Sequence, residues 1–243
     1  MTVLALHGFT QRGSTWDEVA AFDGDTWIAP DLPGHGGEPA TSWDATVESL
    51  GARLHDLERP RVLVGYSMGG RLALGVVLHR PELVDALVVV SATPGIRSVD
   101  DRRRRAESDA ALGERIRSIG VEAFVDEWIA APMFSGLAAR GRSWLAADRS
   151  TRVGSSAEGL AGALVELGQG TMPWLGPRVR HIVAPATFVA GSEDARYAAT
   201  ARRMARAAPR GRVWMVPACG HAVVGEDPRA VAAAVALARR TIG

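Results

Sequence analysis

Lysine is absent: all 28 basic side chains of the 243-residue chain are arginine. That absence excludes lysine Schiff-base chemistry, covalent attachment of pyridoxal phosphate and the lysine of a nucleotide-binding P-loop. Cysteine is nearly absent as well. Cys219 stands alone, so no internal disulfide is possible and a reducing, cytoplasmic setting is expected. No apolar run reaches the ~20 residues of a bilayer crossing, which argues against a membrane partner. Neither sign of charge is in excess. With 28 basic and 27 acidic residues the net charge is +1, which argues against a general nucleic-acid binder. Metal-ligand spacings such as C-x-x-C or H-E-x-x-H do not occur, so neither a metal nor another cofactor is implied. The opening Met1 to Gly8 lacks the basic lead of a signal peptide and reads as a strand running into a turn.

What remains is an ordinary globular composition, 47% apolar and 23% charged, long enough for one domain with an insertion or two small ones. Short apolar runs at 3–6, 27–29, 62–65, 86–91, 187–191 and 213–216 predict six strands. They are rich in Val, Leu and Ile, and most end in Gly, Pro or Ser, as strands buried on both faces do. Amphipathic stretches at 16–22, 43–57, 68–79, 196–207 and 228–240 predict helices between them. This alternation implies βαβ crossovers and a mainly parallel six-stranded α/β sheet flanked by helices. Residues 95–180 break the rhythm. They hold no convincing strand and predict helices at 100–118, 121–131, 138–147 and 158–168. The expected organisation is a core of residues 1–94 and 181–243, with a helical cap of 95–180 inserted after the fourth strand. That is where ligands bind in open α/β sheets.

Gly65-Tyr66-Ser67-Met68-Gly69 is a G-x-S-x-G between a predicted strand and a predicted helix. In that context it reads as a nucleophile elbow, whose glycines permit a tight turn that projects the serine above the sheet. A serine needs a base, and the base needs an orienting acid. His221 follows the last strand and Asp194 the one before it, with Glu193 as the rival acid. Ser, Asp, His in that chain order, each at a strand's carboxyl end, is the α/β-hydrolase arrangement. After the first strand comes His7-Gly8-Phe9-Thr10. The N–H of Phe9 is expected to pair with that of Met68 as an oxyanion hole. His7 and His35 read as structural hydrogen-bonders, His55, His79 and His181 as surface residues, and Cys219 as a packing residue.

Arg71 lies four residues after Ser67, one turn further along the same helix face. Helices behind such elbows are buried, and a buried charge is costly unless paired. Arg71 therefore either meets an anionic substrate or pairs with a core carboxylate. Of the run Arg102-Arg103-Arg104-Arg105, three are expected on a solvated face and one pointing toward the sheet. Trp128 and Trp144 read as core or as pocket wall.

These residues resemble the menaquinone-pathway synthases that convert 2-succinyl-5-enolpyruvyl-6-hydroxy-3-cyclohexene-1-carboxylate into 2-succinyl-6-hydroxy-2,4-cyclohexadiene-1-carboxylate and release pyruvate, members of the α/β-hydrolase superfamily. The resemblance spans most of the chain. It rests on His7-Gly8-Phe9-Thr10, Asp31-Leu32-Pro33-Gly34-His35-Gly36, Gly65 to Arg71, Arg105-Ala106-Glu107-Ser108-Asp109, Phe124 to Trp128, Leu167 to Pro173 and Gly220-His221-Ala222. It implies a triad of Ser67, Asp194 and His221. It also implies Arg71, Arg105 and Arg149 on the carboxylates of a small anionic substrate, and Tyr66 and Trp128 along the pocket. The chain departs from the family at Ala195-Arg196-Tyr197, where members often carry Lys-Phe. The alternative is a serine carboxylesterase, thioesterase or C–C bond hydrolase working through an acyl-enzyme, which has no general need of Arg71. A non-catalytic binding protein has no reason to keep all three triad residues. A monomer or weak homo-oligomer is expected.

Overall fold

The computed structural model describes residues 1–242. Six strands form one sheet: β1 (Thr2–Leu6), β2 (Thr26–Ile28), β3 (Arg61–Tyr66), β4 (Ala86–Val90), β5 (Ala186–Gly191) and β6 (Gly211–Val216). Their order is β2-β1-β3-β4-β5-β6 and every pairing is parallel. The helices are α1 (Asp17–Ala20), α2 (Trp43–His55), α3 (Met68–His79), α4 (Val99–Ile129), α5 (Arg142–Val153), α6 (Ala157–Leu167), α7 (Ala195–Ala207), α8 (Val223–Glu226) and α9 (Pro228–Arg239).

Side chains alternate across a strand, and here both sides are apolar. Leu4, Leu6, Leu63, Leu87, Val89 and Phe188 pack with Trp43 of α2, Leu72 of α3 and Met204 of α7. Val3, Ala5, Val62, Val64, Val88 and Val90 pack with Val19 of α1 and Val231 and Val235 of α9. The central strands thus read as unbroken apolar runs because neither face meets water.

Local signals set several helix starts. Ser42, Ser98, Ser156, Asp194 and Asp227 each accept a backbone N–H from the first turn they cap. Pro228 occupies the first position of α9, where its missing N–H costs nothing.

The segment between β4 and β5 is helical, with two differences from expectation. The helices expected at 100–118 and 121–131 run on as α4, broken at Gly120 with φ 81 and ψ 164. The helix expected near 138–147 is displaced toward the C-terminus, as α5. A 3-10 run, Pro132–Arg140, ends at Gly141 with φ 80, and α5 begins beyond it. Near the start of the chain, the helix expected at 16–22 is a 3-10 turn, Gly13–Trp16, followed by the single turn of α1. The inserted helices sit over the carboxyl ends of the strands. Phe9, after β1, meets Phe124 and Trp128 of α4, and Arg71 of α3 reaches the carbonyl of Leu167 at the end of α6.

Candidate active site

Strand β3 ends at Tyr66 and α3 begins at Met68, so Ser67 alone makes the turn, with φ 50 and ψ −105. Such a backbone costs on the order of 1–3 kcal/mol in a non-glycine residue and persists only when its surroundings fix it. They do so here. The Ser67 N–H donates to Val90 O at 2.9 Å and the Gly69 N–H to His7 O at 3.0 Å, so the ends of β4 and β1 clamp the elbow. The glycines are sterically required. A Cβ on Gly65 would lie 2.3 Å from Gly69 O, and one on Gly69 would lie 2.2 Å from Leu6 O.

His221 meets this serine. Its Nε2 lies 3.2 Å from Ser67 Oγ and its Nδ1 lies 3.0 Å from Asp194 Oδ2. With Asp194 ionised, Nδ1 carries the proton, and the Nε2 lone pair faces the hydroxyl. Burial opposes the charge on Asp194, but hydrogen bonds from His221 and the Tyr197 N–H outweigh it and hold the carboxyl below its ordinary range. Glu193 is exposed and turned to Ser192, away from the imidazole. Glu226, not singled out from sequence, accepts the N–H groups of Gly220 at 2.7 Å and Ala222 at 3.0 Å and so grips the chain on both sides of His221.

The loop after β1 is held as tightly. Gly8 N–H donates to Gln11 Oε1 at 3.0 Å, and Thr10 N–H donates to His35 Nε2 at 3.1 Å. His7 Nδ1 donates to Gly8 O, while its Nε2 accepts the Leu32 N–H. Both imidazoles are fully buried. Burial pushes His7 down to about 3 and His35 down to about 4, so each is a neutral structural hydrogen-bonder. Among the described residues, the N–H groups of Phe9 and Met68 donate to no protein atom. Cys219 is buried and its thiol is raised to about 11 by desolvation, as suits a packing residue.

Aromatic side chains surround the triad. The rings of Tyr197, Tyr66 and Phe134 lie 4.5, 5.7 and 6.3 Å from that of His221. Trp128 stacks with Phe124 and touches Phe9 and Phe134, and its buried indole N–H has no partner among the described residues.

The arginines divide sharply. Arg71 is buried. It forms no ion pair with a core carboxylate, but donates to Leu167 O at 2.6 Å and approaches Met172 Sδ at 3.8 Å. Burial pulls it down to about 10, with Tyr197, Arg105 and Asp109 all within electrostatic reach. Of the four-arginine run, Arg102 and Arg105 are half-buried; Arg105 sets its Nε 2.8 Å from the buried Asp109. Arg103 and Arg104 are exposed and pair with Asp100 and Asp101. Arg149 lies on α5 with its side chain 34% exposed, forked to Asp126 at 2.5 and 2.9 Å, with the exposed Glu122 nearby. Arg152, one turn further, takes the inward position. It is 2% exposed, donates to Thr10 Oγ1 at 2.6 Å and Asp148 Oδ2 at 2.7 Å, and sits 5.9 Å from the Phe134 ring. Its i,i+4 spacing from Asp148 was the available signal.

Among the described residues no cluster of three or more His, Cys, Asp or Glu is arranged to hold a metal ion, and no helix is long and apolar enough to cross a membrane.

Known proteins share this architecture. The alpha/beta hydrolase family matches residues 3–234. The chain is 35% identical over 235 residues to a Bacillus subtilis protein provisionally named 2-succinyl-6-hydroxy-2,4-cyclohexadiene-1-carboxylate synthase, covering 93% of this chain and 86% of that one. It is 30% identical over 236 residues to the Serratia proteamaculans protein named as that synthase, covering 94% and 89%. The solved structure of MenH from S. aureus superposes with a TM-score of 0.93 at 27% identity, over 100% of this chain and 94% of that one. A thermophilic esterase from Thermogutta terrifontis, solved with malate bound, matches with a TM-score of 0.87 at 22% identity over 100% and 90%, a likeness of fold alone. On these matches, which span nearly its whole length, the chain belongs to the alpha/beta hydrolase family and, within it, to the family of the 2-succinyl-6-hydroxy-2,4-cyclohexadiene-1-carboxylate synthases.

Proposed function

We propose that the protein is a carbon–oxygen lyase of menaquinone biosynthesis. It would eliminate pyruvate from 2-succinyl-5-enolpyruvyl-6-hydroxy-3-cyclohexene-1-carboxylate to give 2-succinyl-6-hydroxy-2,4-cyclohexadiene-1-carboxylate. One observation carries the reading. A Ser67–His221–Asp194 array within hydrogen-bond distance is flanked by two buried arginines: Arg71, within electrostatic reach of the Tyr197 that packs on His221, and Arg152, 5.9 Å from the Phe134 ring that lies against His221 as well. A neutral ester has no carboxylate to set against either guanidinium, whereas a substrate with three carboxylates can be held bidentately by guanidinium groups. Arg105 is the third cation in this assignment, and Tyr66 and Trp128 line the pocket.

The chemistry follows from the geometry. His221, oriented by Asp194, takes the Ser67 proton. The serine oxygen then removes the ring proton α to the succinyl ketone. The resulting enolate is held by the N–H groups of Phe9 and Met68, and its collapse breaks the C–O bond to the enolpyruvyl group. The imidazolium returns its proton to the departing oxygen, the enol becomes pyruvate, and Ser67 keeps the ring proton as its hydroxyl. No acyl-enzyme forms and no water is consumed. Residues 95–180 act as the cap over a core of 1–94 and 181–243. The protein works in the cytoplasm as a monomer or weak homo-oligomer, without a nucleic-acid or membrane partner.

The test is pyruvate release from the enolpyruvyl substrate by wild type and Ser67→Ala. Saturable release that disappears in the variant is expected. If wild type releases no pyruvate and instead gives a burst of acyl-enzyme with anionic esters, the protein is a hydrolase.

A further inference from the structure

Two polar side chains beside the triad have no task in that mechanism. Tyr197 lies in the first turn of α7, three residues after Asp194, with its N–H on the Asp194 carboxylate at 3.1 Å and its ring 4.5 Å from the imidazole of His221. Its hydroxyl is within electrostatic reach of the Arg71 guanidinium and accepts a hydrogen bond from Gln169 Nε2 at 3.4 Å. Gln169 belongs to the turn after α6. That turn is tied to the same arginine, which touches Leu167 on one side of it and Met172 on the other. The carboxamide is buried, and its Oε1 meets no partner among the described residues.

A buried acceptor left without a donor is rare in a native interior. Here the orphan oxygen sits beside a tyrosine O–H whose proton is also uncommitted, since that hydroxyl accepts from the amide. The pair therefore presents one acceptor and one donor side by side, against the triad. A carboxylate would set its lone pairs against Gln169 Oε1, and an ammonium group would be repelled by Arg71. A neutral hydroxyl both donates and accepts, and it satisfies both groups at once. We propose that Gln169 and Tyr197 form a specificity subsite for a hydroxyl group on the substrate ring. In the reaction assigned above, on which this inference rests, that group is the 6-hydroxyl.

The experiment compares kcat/KM for the enolpyruvyl substrate and its 6-deoxy analogue in wild type, Tyr197→Phe, Gln169→Leu and the double variant. Pyruvate release is the readout and melting temperature the control for folding. Wild type is expected to favour the hydroxyl-bearing substrate by roughly ten- to a hundred-fold, since a site built to pair a hydroxyl rejects the analogue lacking it. Each variant is expected to lose most of that preference through a higher KM for the hydroxyl-bearing substrate, with kcat changed by less than about threefold. A purely structural role would slow both substrates alike and leave their ratio untouched. A wild-type ratio near one, or a ratio that survives in both variants while wild type releases pyruvate, overturns the subsite alone. Absence of pyruvate from wild type with either substrate overturns the reaction and the subsite together.

Discussion

Replacing Arg152 and Arg149 separately by methionine tests which of two arginines one turn apart on α5 serves the pocket. The structure separates them by environment. Arg152 is 2% exposed and bound to Asp148 and Thr10, whereas Arg149 is 34% exposed and bound to the carboxylates of Asp126 and Glu122 at the surface. Breaking a buried pair leaves an uncompensated charge and costs roughly 3–5 kcal/mol. Asp148 keeps some solvent contact, 12% of its side chain, so the low end, about 3 kcal/mol, is expected for Arg152→Met. In a chain of this size that corresponds to about 6–12 °C in Tm. Adding Asp148→Asn to remove the orphaned charge restores part of it. The activity loss is separate from the stability loss. A charge-assisted hydrogen bond to a substrate carboxylate is worth about 1.5–3 kcal/mol, which is roughly ten- to 150-fold in kcat/KM. For Arg149→Met the surface pair is worth about 0–1 kcal/mol, and kcat/KM stays within about twofold. Steady-state pyruvate release measured well below either Tm gives both ratios. Equal losses in the two variants, or a larger loss at Arg149, refute the assignment.

Acid is expected to destabilise the fold well above the carboxylate range. His7 and His35 are held neutral at about 3 and about 4 against an ordinary 6.5, so below pH 6.5 the unfolded chain binds protons that the native state refuses. Stability then falls as pH drops, by roughly 4 kcal/mol between pH 7.5 and 5. Urea midpoints at the two pH values measure this, and equal midpoints contradict it. Gly69→Ala forces a Cβ to 2.2 Å from the Leu6 carbonyl. Because neither backbone can yield, a loss of more than about 3 kcal/mol is expected in a denaturant titration, and a variant as stable as wild type contradicts that packing. Glu226→Ala frees the N–H groups flanking His221. It is expected to lower kcat by about tenfold or more with KM little changed, and a variant whose kcat stays at the wild-type value rules out a positioning role.

Much of this architecture is legible without coordinates, for identifiable reasons. All six strands are legible because each is an apolar run bounded by turn residues, and in β1, β3, β4 and β5 burial on both faces removes the polar alternation that blurs other strands. Ser67, Asp194 and His221 were expected because each follows a strand, so one topological rule brings distant residues to one end of the sheet. The arginines differ. With α5 expected at 138–147, neither Arg149 nor Arg152 lay on a helix and neither could be given a face. Gly141, at φ 80, delays the helix to Arg142, and only the packing of α5 on the core turns Arg152 inward. Gln169 and Tyr197 meet across 28 residues, and spacing along a chain carries no trace of such a contact; Glu226 acts within its own loop, on the N–H groups of Gly220 and Ala222, where the loop's conformation and not a residue pattern sets the contact. Arg105 is intermediate. Helical periodicity turns part of a run of four arginines toward the core, and here Arg102 and Arg105 are the half-buried ones, with the i,i+4 partner Asp109 marking Arg105.

The same triad can serve hydrolysis or elimination, and the difference lies in what surrounds it. Hydrolysis must admit a water to the acyl carbon after the first half-reaction, with His221 free to activate it. Elimination needs only a base, a site for the enolate oxygen and a firm hold on the charged arms of the substrate. Here Phe9, Trp128 and Phe134 form a run of ring contacts that reaches His221, which is 2% exposed. Buried polar side chains near it include Arg71, Arg152 and Gln169. A dry surround strengthens every charge–dipole contact to the enolate. In the proposed reaction the arginines do more than bind: holding the carboxylate arms on either side of the ring, Arg71 and Arg152 would place the acidic C–H, and not a carbonyl carbon, against Ser67 Oγ. On that reading orientation, not a new catalytic group, diverts hydrolase machinery into a lyase.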